Sequence, residues 1–164
     1  MAADPEAKRE RIVGVRRRIR ANRAFLYAAW TDPARFVRWF GPKAWEVDRC
    51  QIDARPGGTW RAWLRRGDGA SICVGGVYTE VEPERRIVFT WDNDEQGRRT
   101  DVTSLVTVEF VDLADGVEVS ITHRELSTGQ AVDMDVGWNN TLDSLEAYAG
   151  AELRSHFAIK GGDQ

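Results

Sequence analysis

The segment Ala28-Ala29-Trp30-Thr31-Asp32-Pro33-Ala34-Arg35-Phe36-Val37-Arg38-Trp39-Phe40-Gly41-Pro42 decides the fold. Asp32 is a side chain that caps orphan helical amides, and Pro33 fits a first turn, where no amide hydrogen is required. The segment therefore reads as the end of one helix, a restart, and a second helix over 33–40 halted by Gly41-Pro42. Upstream, Asn22 offers an N-cap for the first helix over 23–31. Two such short helices cannot cover an ordinary core, but they suit the closure of one end of a curved sheet. Their aromatic residues, Phe25, Trp30, Phe36, Trp39 and Phe40, are then expected at the mouth of a cavity.

Working outward, residues 11–20 read as a first strand carrying Ile12, Val13, Val15 and Ile19. From Trp45 the pattern changes to strand after strand: 45–54, 59–66, 71–82, 85–91, 100–113 and 116–125. Between them stand turn-forming pairs such as Pro56-Gly57, Asp68-Gly69, Pro83-Glu84 and Asp115-Gly116, with a charged loop over 92–99. Short turns make sequential strands antiparallel neighbours. The last element is helical, starting between Gln130 and Met134, with Leu142, Leu145, Tyr148, Ala149 and Leu153 on one stripe that Val136 and Trp138 extend upstream. Gly137 is unfavourable in that helix and points either to close packing or to an adaptable wall. The order is α+β: a bent antiparallel sheet of about seven strands gripping a long C-terminal helix, with two short helices between the first and second strands. One domain over 11–155 is expected, flanked by frayed tails over 1–10 and 156–164.

Composition narrows the function. A net charge of −3 gives no global field for nucleic acid, and the N-terminal arginines read as outward strand positions. No apolar stretch is long enough for a membrane span. Cys50 and Cys73 lack metal or redox spacing and suit reduced thiols, which predicts a cytoplasmic setting. There is no nucleophile elbow, P-loop, dinucleotide fingerprint or zinc motif, and no cofactor or metal site is expected.

Several stretches together resemble homologues of the activator of the Hsp90 ATPase, within the START-like superfamily of helix-grip folds. They are Ala29-Trp30-Thr31-Asp32-Pro33, Arg38-Trp39-Phe40-Gly41-Pro42, Arg55-Pro56-Gly57-Gly58, Gly76-Val77-Tyr78, Phe89-Thr90-Trp91, Ile121-Thr122-His123 and Gly137-Trp138. The resemblance implies a hydrophobic cavity between sheet and helix that holds a small apolar or amphipathic molecule. It also implies, in eukaryotic members, partnership with an Hsp90-type chaperone, and in distant ones polyketide cyclisation.

Alternation assigns the inner face. Trp60, Ala62 and Leu64 share one side with Ile87, Phe89, Trp91, Val106, Val108, Phe110, Val119, Ile121 and His123. The expected ligand-binding set is Trp39, Phe40, Trp60, Tyr78, Phe89, Trp91, His123, Trp138 and Leu142. The same wall also reads as solid core, and His123 as a core histidine bonded to its neighbours. A cavity enzyme using His123 or Tyr78 as acid–base is a third reading. Trp63 falls on the outer face between Arg61 and Arg65, either as a partner contact or stacked under one of those arginines.

Overall fold

Asn22 adopts an extended backbone and its side chain accepts from the Phe25 amide at 2.7 Å, which starts helix α1 (Arg23–Thr31). Asp32 then serves two helices at once. Its own amide donates to the Ala28 carbonyl at 2.8 Å, closing α1, and its carboxylate accepts from the Ala34 amide at 3.0 Å, opening α2 (Pro33–Phe36). The second helix is a single turn rather than the two expected over 33–40. Beyond Phe36 the bonds tighten to i−3, from Arg38 to Arg35 and from Trp39 to Phe36. That tightening swings Trp39 inward so that its indole N–H reaches the Ala29 carbonyl at 2.9 Å. Gly41, at φ 119°, makes the exit, with the Leu64 side chain packed against its Cα.

The computed structural model describes residues 11–95, 98–99, 104–126 and 128–161. The strands are β1 (Arg11–Ile19), β2 (Trp45–Ile52), β3 (Thr59–Arg66), β4 (Ser71–Glu82), β5 (Arg86–Glu95), β6 (Arg98–Arg99), β7 (Ser104–Leu113) and β8 (Gly116–Leu126). They form one antiparallel sheet in the order β1-β8-β7-β5-β4-β3-β2, with β6 folded back on β5. The charged loop expected over 92–99 is thus mostly strand, because β5 continues to Glu95 and Arg98–Arg99 pairs with it. The strand start expected at Thr100 and the tail over 1–10 lie outside the described residues.

Helix α3 (Thr128–Gly161) begins before Gln130 and runs beyond Ser155, where the sequence predicts fraying. Trp138, Leu142, Leu145, Tyr148 and Ala149 are buried along it. Val136 and Leu153 are exposed, so the buried stripe is narrower than the pattern of apolar residues.

Burial follows the strand alternation read above in β3, β7 and β8, but not in β5, where Val88 is buried along with Ile87 and Phe89. Trp60, Ala62 and Leu64 are buried, as are the alternate residues from Ser104 to Phe110 and from Val117 to His123. At Gly76 the β4 and β5 backbones come into close contact. A Cβ at Gly76 would overlap the Thr90 carbonyl oxygen, the same oxygen that accepts from the Trp60 indole at 3.1 Å. Glycine at this position is what lets the two backbones meet.

Most of the aromatic residues of this helical segment do not ring an opening; only Phe25 and Phe40 border a cavity. Trp30, Phe36, Trp39 and Phe40 are all buried, with Phe36 stacked on Phe40 at 4.2 Å and Trp30 edge-on to Trp39 at 4.8 Å. The helix pair is a packed plug, because so many rings bury more area against one another than around a void. Phe25 and Tyr27 are partly exposed, Phe25 stacked on Tyr148 at 5.6 Å.

Candidate functional site

The plug meets Trp60, Trp91 and Trp138 at one end of the sheet, with ring centroids 5.2 to 6.4 Å apart. Beside these rings a cleft of about 200 Å³ remains open under the first half of α3. Phe40, Trp91 and Trp138 supply its aromatic wall, and Pro42, Leu64, Ile72 and Val74 its aliphatic one. Met134, Gly137 and Thr141 form the helix side. None of these lining residues carries a charge, and the Thr141 hydroxyl is already bonded to the Gly137 carbonyl at 2.8 Å. A Cβ built on Gly137 meets nothing within 4 Å. Of the two readings of this glycine, close packing is not what the structure shows.

Of the nine residues predicted for the site, Phe40, Trp91 and Trp138 line the cleft. Trp39, Trp60, Tyr78, Phe89 and Leu142 are buried and packed in the core. Trp60 sits between Phe89 and Trp91 at 5.2 Å each, and Tyr78 packs edge-on to Phe89 at 5.9 Å. Leu64, Ile72, Val74 and Met134 escaped the prediction, because in sequence they are ordinary inward residues. Gly137 is the one member whose composition already marked it.

His123 lies behind the cleft with 0% exposure. The Trp138 indole N–H donates to its Nδ1 at 3.0 Å, and its Nε2 lies 2.7 Å from the Ser104 hydroxyl. An indole nitrogen can only donate, so Nδ1 is the acceptor and Nε2 carries the proton. Ser104 must then accept from His123, which leaves its own hydrogen for the Trp91 carbonyl at 3.3 Å. The chain Trp138→His123→Ser104→Trp91 carbonyl has a single direction and joins α3 to β8, β7 and β5. Burial lowers the imidazole pKa to about 4. The only lone pair in the imidazole plane is already in use, so the ring positions Trp138 and is not available to take a proton from a guest. Burial also raises the Tyr78 hydroxyl pKa above its ordinary range.

A larger void of about 420 Å³ lies between α1 and the far end of α3, but Arg35 and Glu152 stand in its wall beside Phe25 and Leu153. The smaller cleft is the better seat for an apolar guest, because nothing in it needs to be desolvated as an ion. Among the described residues no cluster of His, Cys, Asp and Glu side chains is arranged to hold a metal ion, and no helix is long and apolar enough to cross a membrane.

On the outer face, Trp63 is half-buried and covered by arginine: by Arg61, one of the two predicted, and more closely by Arg49, which was not. The Arg49 guanidinium lies 4.0 Å from the ring centroid and that of Arg61 5.9 Å, while Arg65 turns away to Asp48 at 3.0 Å. A bulge between Val47 and Arg49 rotates Arg49 outward, directly opposite Trp63.

The model of the family described as activator of Hsp90 ATPase homolog 1-like protein matches residues 20–150. The crystal structure of a protein of this type from Silicibacter pomeroyi is similar at 26% identity and a TM-score of 0.78, over 87% of this chain and 99% of that one. A protein from Nitrosomonas europaea, at 21% identity, gives a TM-score of 0.75 over 93% of this chain and 99% of that one. A member from Aeromonas hydrophila solved in solution, at 23% identity, gives 0.74 over 87% and 94%. The last two similarities concern the fold alone. No curated protein sequence matches the chain.

Proposed function

The chain belongs to the activator of Hsp90 ATPase homolog 1-like family, and from that premise we propose that it is a cytoplasmic binding protein for a small, uncharged, flat apolar molecule seated under α3. The observation that carries this reading is the uncharged cleft of about 200 Å³ walled by Phe40, Trp91 and Trp138. An apolar cavity of about 150 Å³ accommodates benzene. One somewhat larger, and open at the side, suits a two-ring compound. Cys50 and Cys73 are not joined in a disulfide, which is compatible with a reducing compartment. Family membership agrees equally with a chaperone partner; the cleft is what favours a small guest. Acid–base chemistry at His123 loses support from the direction of its bond with Trp138.

The test is titration with naphthol and with its charged counterpart naphthoate, followed by tryptophan fluorescence and indole N–H shifts. Naphthol is expected to bind saturably and to move the Trp91 and Trp138 signals while leaving Trp63 unmoved. Naphthoate is expected to bind at least tenfold more weakly, because its carboxylate finds no cation in the cleft. Failure of naphthol to saturate, or shifts confined to Trp63, would overturn the reading.

A further inference from the structure

The outer face of β2, β3 and β4 carries a second constellation, on the opposite side of the sheet from the cleft. Arg49 is paired across strands with Trp63, and Arg61 stands two residues along β3 on the same face. Both guanidinium groups lie within 6 Å of the one indole, at 4.0 and 5.9 Å. Among the described residues neither has a carboxylate within ion-pair distance, although Arg65 and Arg66 beside them do, with Asp48 and Asp68. These are thus two cations already ordered by stacking, with their hydrogen-bond donors unspent.

Next to them the surface is recessed. Gly75 pairs with Arg61 where the two backbones approach too closely for a Cβ, and beside it lies a groove of about 310 Å³ bounded by Gln51, Arg61, Cys73, Val77 and Asp92. Val77 is an exposed apolar residue along it. Two positive heads stand on an aromatic platform, next to a shallow groove of mixed polar and apolar lining.

We infer that this face is a docking surface for an acidic segment of another protein, bound in extended form across Trp63. Charge complementarity and spacing support that occupant. Diagonal neighbours on adjacent antiparallel strands stand roughly 7–8 Å apart. In an extended peptide, side chains two residues apart emerge on one side at about 7 Å. Alternate carboxylates of such a peptide therefore meet Arg49 and Arg61 in turn, while a neighbouring side chain enters the Gly75 groove. A nucleic-acid strand fits less well, since it needs a continuous basic track. Here Asp48, Asp68 and Asp92 border the patch, and the chain as a whole carries −3. The surface is independent of the apolar cleft.

The experiment is fluorescence anisotropy of a labelled decapeptide of alternating glutamate and valine, set against the lysine–valine counterpart and a labelled oligothymidylate. The wild-type protein is expected to bind the glutamate peptide saturably, with affinity falling as salt rises. Arg49→Gln with Arg61→Gln, and separately Trp63→Ala, are each expected to lose roughly tenfold or more. The double arginine variant, which keeps the tryptophan packing, is expected to unfold at the same temperature and to bind naphthol unchanged. Absence of saturable binding, equal affinity in the double variant, equal binding of the lysine peptide, or tighter binding of the oligothymidylate would each overturn the inference.

Discussion

Acid should weaken this protein through His123 in particular, and the size of the effect follows from the site. The imidazole is fully buried, its Nδ1 accepts from Trp138, and its pKa is lowered from 6.5 to about 4. The unfolded chain takes up a proton near 6.5, whereas the folded protein does so only near 4. Above 6.5 both forms are neutral and His123 adds no pH dependence. Between 6.5 and about 4 the unfolded state binds more protons, so stability falls with pH and levels off below 4. At 1.36 kcal/mol per pH unit the loss amounts to about 3 kcal/mol. His123→Gln isolates the effect, since a glutamine amide accepts from an indole and donates to a serine without titrating. Guanidinium unfolding of the wild type and this variant between pH 7 and 4 should show their stability difference shifting by about 3 kcal/mol in favour of the variant. The imidazole Cε1 proton shift should titrate near 4. A constant difference across that range, or a histidine assigned to position 123 that titrates near 6.5, would refute the reasoning.

The remaining predictions concern two glycines. Gly137→Ala is expected to stabilise the protein by about 0.5–1 kcal/mol in thermal unfolding, because a helical glycine is replaced where a Cβ meets open space. Gly137→Leu should instead fill the cleft and abolish naphthol binding without loss of stability. At Gly76 the sign reverses. Alanine there drives a methyl group into the Thr90 carbonyl, and a cost of about 3 kcal/mol or more is expected in denaturant unfolding.

The parts of the fold legible in the sequence were those governed by local bonds. Asn22 and Asp32 announce helix starts because each cap is a side chain bonded to an amide two or three residues away. Alternation in β3, β7 and β8 reads directly because one face is buried. The end of α2 was not legible, since what curtails it is the reach of Trp39 to Ala29 across the helix pair. The same holds for the cleft. Leu64 and Val74 differ from Ala62 and Val106 only in what stands opposite them, and a void is a small remainder among large packed volumes. Arg49 was hidden by the bulge. Strict alternation from Trp45 and Val47 places it on the inner face, and one inserted residue places it on the outer.

That inserted residue also bears on how the molecule behaves in company. β2 ends the sheet, with no strand beyond it among the described residues, and an open edge invites pairing with a second copy. The bulge at Asp48 divides this edge into Trp45–Val47 and Arg49–Ile52, so an incoming strand loses register after a few residues. Glu46, Asp48 and Arg49 stand exposed along it and would meet like charges on a second copy aligned in parallel. The irregularity that turns Arg49 toward Trp63 thereby also makes the β2 edge a poor template for the addition of a further strand.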